Sequence, residues 1–318
     1  MPLGKTLLIA NPAAQNGAGA DAADRVAAIL RHEIGRDLHV ELTEHAGHAV
    51  EIAAQADAFD TVIACGGDGI AHEVANGIMR ITLDERPALG VVPAGSGNDY
   101  AFSLGMSRHV DEAAQQLLAA PVRPADVGIC NGQAFVETLS FGLDAAIALD
   151  TMERRKHTKA TGTLLYLQSG IDQLLHRPDM HDVEIGFGSE EGGEGSEDAS
   201  GKTVRMSVVL AAVQVGPTYG GGFRICPHAR FDDGLLDVCF AQGPVGLVKA
   251  ALVFLLAKNG HHLGFREISS SQARSVHLRF SRPVPAQIDG ERITGLAFDI
   301  SIEPAALRVI APSGSYFS

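Results

Sequence analysis

The chain has 318 residues, 46% of them hydrophobic and 20% charged, a composition typical of a globular protein long enough for two domains. With 25 Lys and Arg against 38 Asp and Glu, the formal charge is −13, which argues against non-specific nucleic-acid binding and against adsorption of the whole molecule to an anionic membrane. The longest apolar segment, Ala250 to Ala257, is too short to span a bilayer, so any membrane contact is expected to be peripheral. Cys65, Cys130, Cys226 and Cys239 form no C-x-x-C pair and follow apolar residues, as reduced core thiols of a cytoplasmic protein would. Met1 to Ala10 is strand-like with Lys5 inside it and does not read as a signal peptide.

In chain order, Thr6 to Ala10 is a first buried strand ending in Asn11-Pro12. A small-residue loop, Ala13 to Ala20, is expected to lead to a helix with Asp21 as its N-cap. His39 to Thr43 alternates like a strand, and Gly47 to Phe59 carries a helical pattern. The apolar run Thr61 to Cys65 then breaks into Gly66-Gly67-Asp68-Gly69, with helical spacing at Ala71, Val74, Ala75 and Ile78. Another apolar strand, Ala88 to Val92, ends in Pro93 and the turn Gly95-Ser96-Gly97-Asn98-Asp99. Strands alternating with helices at this spacing predict a doubly wound parallel α/β unit over 1–124, whose ligands sit beyond the carboxyl ends of the strands. The three glycine-bearing turns all fall at that end.

Beyond Pro121 to Pro124 short strands dominate: Phe135–Leu139, Val183–Phe187, Val204–Val215, Leu235–Phe240, Val276–Phe280 and Ala297–Ile302. Helices are expected at Thr163–Leu175 and Leu247–Lys258. The pattern predicts a β-sandwich domain over 125–303, with the tail from about 304 to 318 returning to the first domain. The acidic, Gly/Ser-rich stretch 188–201 has nothing to bury and is expected to be a disordered loop.

Glycines at strand ends let a bulky anion approach backbone N–H groups. No lysine follows any of these turns, so a Walker A loop is excluded, and the kinase signature set is missing. Gly17-Ala18-Gly19-Ala20-Asp21-Ala22 matches the dinucleotide fingerprint only loosely and lies too far past the strand. Asp68 reads equally as a turn residue or as part of a metal-linked network.

The ordered set of motifs resembles the diacylglycerol kinase catalytic-domain family of soluble lipid kinases, which includes sphingosine and ceramide kinases. It runs through Asn11-Pro12, Thr43 with Gly47-His48-Ala49, Gly66-Gly67-Asp68-Gly69, Glu73 with Asn76-Gly77, and Gly95 to Ala101. It continues through Phe141 to Ala145, Tyr219-Gly220-Gly221-Gly222, Asp232 to Asp237, and Asp289-Gly290-Glu291. The resemblance implies ATP held in a cleft between the two domains, by the backbone at Asn11, Pro12 and Ala13 and at Gly66, Gly67, Asp68, Gly69, Ile70, Ala71 and His72, with hydroxyl help from Thr43 and Ser96. It implies Glu291 as the acceptor of the alcohol proton, with Asp289, Asp68 and Asp99 in a supporting acidic network. It implies Mg²⁺ at Asp233 and at the carbonyls of Arg230 and Leu235, and a lipid substrate met peripherally at a membrane surface, with room for a homodimer.

Spacing alone reads Asp289-Gly290 as a hairpin turn, which is compatible with presenting Glu291, and Asp232-Asp233-Gly234 as a surface turn. Ile70 stands where the family usually has Thr, so a hydroxyl near the phosphates is lost. Arg154 to Lys159, followed by Leu164 to Leu167, reads as a solvated helix face or as a contact for anionic headgroups. His45/His48 and His261/His262 show no metal-ligand partners at the usual spacing. A soluble-substrate kinase related to NAD kinase and a non-catalytic lipid- or nucleotide-binding protein remain alternatives.

Overall fold

A computed structural model of the protein describes residues 3–155, 162–176, 179–188, 203–313 and 316–317. Most of the expected acidic loop 188–201 and of the basic run 154–159 lies outside them. The chain divides into two compact units. Unit 1 comprises Met1–Val127, Phe231–Asp233 and Pro304–Ser318; unit 2 comprises Gly128–Arg230 and Gly234–Glu303.

The elements begin with β1 (Thr6–Ala10), α1 (Ala14–Ile34), β2 (Leu38–Leu42), α2 (His48–Ala53), β3 (Thr61–Gly66), α3 (Asp68–Ile78), β4 (Ala88–Pro93), α4 (Asp99–Ser103), α5 (Val110–Ala119) and β5 (Val122–Cys130). They continue with β6 (Gln133–Phe135), β7 (Thr138–Gly142), α6 (Leu143–Arg155), α7 (Gly162–Leu175), β8 (His181–Phe187), β9 (Thr203–Gln214) and β10 (Leu236–Gln242). The last are α8 (Leu247–Ala257), β11 (Ile268–Ala273), β12 (Ser275–Phe280), β13 (Ala286–Ile288), β14 (Glu291–Ile293) and β15 (Ala297–Ile310).

Unit 1 is built on a parallel sheet in which β1 lies between β2 and β3, β3 pairs with β4, and Val309 of β15 pairs with Leu89 of β4. Every residue of β1, β3 and β4 is buried, which is why these strands read as continuous apolar runs. The segment 304–318 is tied to this unit by Arg86, whose guanidinium donates to the carbonyls of Met79, Ile81 and Ala306. Phe231 packs edge-on against Tyr100 and beside Phe317.

The expected loop from Ala13 to Ala20 is instead the first turns of α1, and Asp21 lies inside that helix. The Asn11 carbonyl accepts from Ala14 N–H and its side chain from Ala13 N–H, so Asn11 starts the helix that Asp21 was expected to cap. Helix α2 is also shorter than expected. Its start is held from α3 by Glu73, whose carboxylate oxygens accept the Gly47 and Ala49 N–H groups.

Unit 2 is antiparallel. The C-terminal half of β9 pairs with β7 on one side and β10 on the other, while its N-terminal half pairs with β8. β8 continues to β12 and the start of β15, and β7 continues to β13 and β14. Phe141 of β7 meets Phe280 of β12 and Phe298 of β15 at ring-centroid distances of 5.1 and 4.7 Å, so the two layers pack face to face. The single strand expected over Phe135–Leu139 is split into β6 and β7, because the intervening N–H groups bond to Asp289 rather than to a neighbouring strand.

Candidate active site

In unit 1 the ends of the parallel strands converge on three turns. Asn11 N–H donates to Cys65 O, Thr43 N–H to Ala10 O, and Ala94 N–H to Gly66 O, which locks the chain leaving β1, β2 and β4 to its neighbours. Gln15 Nε2 donates to Gly95 O at 2.6 Å. Gly67 and Gly95 touch backbone to backbone: a Cβ on Gly67 would stand 3.2 Å from the Gly95 Cα, and one on Gly95 would be driven into the Gly67 backbone. The Asn98 side chain closes its own turn by accepting from Gly95 N–H at 2.8 Å and donating to Gly95 O at 2.7 Å, with its backbone at φ 64°. Asp68 crosses between turns, accepting Tyr100 N–H at 3.2 Å at the start of α4. Asp99, beside it in sequence, is buried.

Several of the backbone groups expected to hold a nucleotide already carry hydrogen bonds within the protein. Asn11, Pro12 and Ala13 have no N–H left over, since Asn11 bonds to Cys65, Ala13 to the Asn11 side chain, and Pro12 has none. Ala71 N–H is spent on Gly67 O, and His72 is buried inside α3. Gly69 and Ile70 occupy the first turn of α3, where N–H groups lack intrahelical acceptors and the helix dipole is positive. Ile70 turns its side chain inward. It is 7% exposed, and its Cγ2 lies 2.7 Å from where a Cβ on Gly66 would be. Thr43 and Ser96 are half-buried at the ends of β2 and β4.

In unit 2, Asp289 and Gly290 form the two-residue turn between β13 and β14, with φ of 45° and 94°. The Asp289 carboxylate is spent: it accepts the N–H groups of Val136, Glu137 and Thr138 at 2.8, 3.1 and 2.8 Å. Glu291 follows at the head of β14 and is exposed. Of the residues before β10, Asp233 belongs to unit 1 and Arg230 and Leu235 to unit 2; all three are half-buried, and Gly234 has φ 71°. A carboxylate and backbone carbonyls are hard oxygen donors, the type of ligand that Mg²⁺ takes. His45 and His48 do have a partner that spacing did not show, since one ligand atom each from His45, His48 and Glu51 lie within 4.8 Å of one another. His48 Nδ1 already accepts Glu44 N–H, so the grouping is not a preformed metal centre.

Unit 2 also encloses a cavity of about 520 Å³ that sequence reading did not find, because its walls come from elements far apart in the chain. It is lined mainly by apolar side chains of α6, α7, β10 and α8, among them Ile147, Leu174, Cys239, Val253 and Phe254. Its polar exceptions are specific. Buried Asp144 accepts the Tyr166 hydroxyl on Oδ1 at 2.7 Å, while its Oδ2 has no partner in hydrogen-bonding geometry. The hydroxyls of Ser140, Tyr219 and Tyr166 oppose the rise of its pKa, but burial dominates and raises it. His262 donates Nε2–H to Ile225 O, leaves Nδ1 without a partner, and is kept neutral by burial, which lowers its pKa. The Tyr219–Gly222 motif supports this cluster. Its glycines at φ 64°, 81° and 88° turn the chain so that the Tyr166 ring lies flush on Gly220. The four cysteines are buried and unpaired; burial pushes Cys65, Cys130 and Cys239 up to about 12, so they are inert thiols.

Residues 5–130 match the Diacylglycerol kinase catalytic domain, and residues 138–311 the YegS C-terminal NAD kinase beta sandwich-like domain. The chain belongs to the diacylglycerol kinase catalytic-domain family. It is 30% identical to the lipid kinase YegS of Escherichia coli strain K12, over 91% of each chain. It is 29% identical to a diacylglycerol kinase of Bacillus subtilis strain 168, over 81% of this chain and 80% of the other. The crystal structure of a diacylglycerol kinase from Bacillus anthracis str. Sterne superposes with a TM-score of 0.73 over 98% of both chains, at 22% identity, and bears on the fold alone. A lipid kinase family with an α/β N-terminal domain and a β-sandwich C-terminal domain is therefore established for this chain.

Two variants check the roles assigned to buried acids. Asp289→Ala orphans three buried N–H groups and places alanine at a positive φ, so urea denaturation should show a loss of about 3 kcal/mol. Asp289→Asn, which tolerates that φ and keeps one acceptor oxygen, should lose less. Asp144 has a native pKa raised above its unfolded value of about 3.9. The unfolded chain therefore releases this proton first as pH climbs, and stability falls from about that pH up to the native pKa. Asp144→Asn should flatten this fall in a series of melts against pH.

Proposed function

We propose that the protein is an ATP- and Mg²⁺-dependent lipid kinase that transfers the γ-phosphoryl group to a hydroxyl of diacylglycerol or a related lipid. The observation that carries the acceptor class is the unit 2 cavity, whose apolar walls and unpartnered Asp144 Oδ2 and His262 Nδ1 suit a molecule with an apolar body and a hydrogen-bonding head. A soluble, polyanionic acceptor such as a dinucleotide would find neither charge nor enough donors there, although the sandwich domain is of the NAD kinase type.

In this reading unit 1 binds the phosphate chain of ATP at the turns after β3 and β4. The first-turn N–H groups of Gly69 and Ile70 point at the anion, and the Thr43 and Ser96 hydroxyls add donors. Ile70 contributes only its backbone, since its side chain packs on Gly66. Glu291 takes the proton of the acceptor hydroxyl as that oxygen bonds to the γ-phosphorus and the bond to the ADP oxygen breaks. Asp289 acts as the positioning residue that fixes the hairpin carrying Glu291. Asp68 and Asp99 form the acidic side of the phosphate site. Asp233, with the carbonyls of Arg230 and Leu235, would hold Mg²⁺, which neutralises phosphate charge. The protein would act in the cytoplasm, meeting its substrate by peripheral membrane contact.

Assays with labelled ATP and detergent-dispersed diacylglycerol test this. Glu291→Gln should lower the transfer rate by about 10²–10⁴-fold while ATP affinity, measured by calorimetry, changes little; full transfer by the variant sinks the assignment. Mg²⁺ should raise the melting temperature of the wild type and not that of Asp233→Ala.

A further inference from the structure

Helices α7 and α8 pack on each other, with Gly170 so close to Phe254 that a Cβ would enter the ring. Eleven large hydrophobic side chains are exposed among the described residues, and seven of them are on these two helices. Leu164, Ile171 and Leu175 follow helical spacing along α7, and Val248, Leu252 and Leu255 do so along α8, where Val248 is 86% exposed. Ten of the eleven residues of α8 are apolar, yet only Ala257 is buried. A helix that apolar belongs in a core by composition.

The charges of the two helices are already satisfied. Lys249 pairs with Glu267 at 2.5 Å, holding that carboxyl down to about 2, and Asp172 pairs with Arg154 at 2.6 Å. The face is therefore both apolar and electrically neutral. It is continuous with the cavity, because Leu175 and Leu247 are at once exposed and part of its lining.

We propose that the outer face of α7 and α8 inserts into the apolar layer of a lipid bilayer and sets the mouth of the cavity against the membrane. The proposal rests on the lipid-kinase reading for the identity of the surface. A bilayer is favoured over a second copy of the chain because the same side chains rim an apolar cavity, and a lipid passing from bilayer to cavity would not cross water. Insertion of a neutral face depends on buried apolar area and not on lipid charge. With a net charge of −13, the molecule should if anything be repelled by anionic vesicles at low salt.

The test uses the full chain and vesicles of pure phosphatidylcholine, followed by co-sedimentation at about 0.05 and 0.5 M salt. Wild type should sediment with the vesicles, within about twofold at the two salt concentrations. Val248→Gln, Leu252→Gln and Leu255→Gln combined should reduce binding by about tenfold with an unchanged melting temperature. The chain has no tryptophan, so Leu252→Trp supplies a single reporter whose emission should shift to the blue and be quenched by brominated lipid. Three results would overturn the proposal: no binding to neutral vesicles, binding that the triple variant retains, or a solution dimer that the triple variant dissolves. Transfer to detergent-dispersed diacylglycerol is measured on the same samples. Transfer without vesicle binding removes the docking face and leaves the kinase reading, while binding without transfer does the reverse.

Discussion

The backbone contact of Gly67 with Gly95 is the constraint from which the strand-end turns of unit 1 are built. Two strands of a parallel sheet stand about 4.8 Å apart, and their following turns ordinarily diverge into separate helices. Here the turns are held together because neither glycine has a side chain to keep them apart. Once they meet, Asp68 can reach across to Tyr100 N–H and Gln15 to Gly95 O, and the first turns of α3 and α4 are fixed relative to each other. Alanine at either glycine would have to move a turn, and with it a helix N-terminus, so this contact matters to function as much as to stability.

That constraint also explains what could be read from the chain alone. Gly66-Gly67-Asp68-Gly69 and Gly95 to Asp99 were legible because a tight turn at the end of a buried strand leaves few residue types to choose from. The Asp289-Gly290 hairpin was legible for the same reason. What escaped were effects of one side chain on distant backbone. Asn11 holds the start of α1 at Ala14, seven residues before the expected cap Asp21, and Asp289 interrupts a strand some 150 residues earlier in sequence by taking its N–H groups. Asn11-Pro12 is itself a helix-start signal, but the small residues and glycines at 13–20 make the following stretch read as a loop, and nothing at Val136 or Glu137 marks the second effect. The cavity escaped because no local period encodes a void, and its walls are drawn from residues spread between 143 and 268.

The two acids singled out by motif also changed character once their surroundings were known. Asp289 and Glu291 are two residues apart, and spacing treats them as a pair. In the hairpin one is buried under three N–H donors and the other is exposed at the head of β14. The Asp289 oxygens are committed to three backbone N–H groups and hold the hairpin to the chain at 136–138. Glu291 is exposed and its side chain is not enclosed by the hairpin. The two acids therefore differ in burial and in partners although the motif treats them alike.

Asp144 shows the opposite use of the same physics. Burial raises its pKa, which favours a protonated carboxyl able to donate from one oxygen while the Tyr166 hydroxyl occupies the other. Across the cavity lining, neutral His262 offers a lone pair on Nδ1. A charged group entering such a chamber would be desolvated without a counter-ion. The helices that roof this chamber are correspondingly apolar on both sides. Their inner face lines the cavity and their outer face meets solvent, which is costly in water and costs little against hydrocarbon. A fold that tolerates an 86% exposed Val248 beside exposed Leu252 and Leu255 is accounted for if the surroundings of that face are lipid for part of the working cycle.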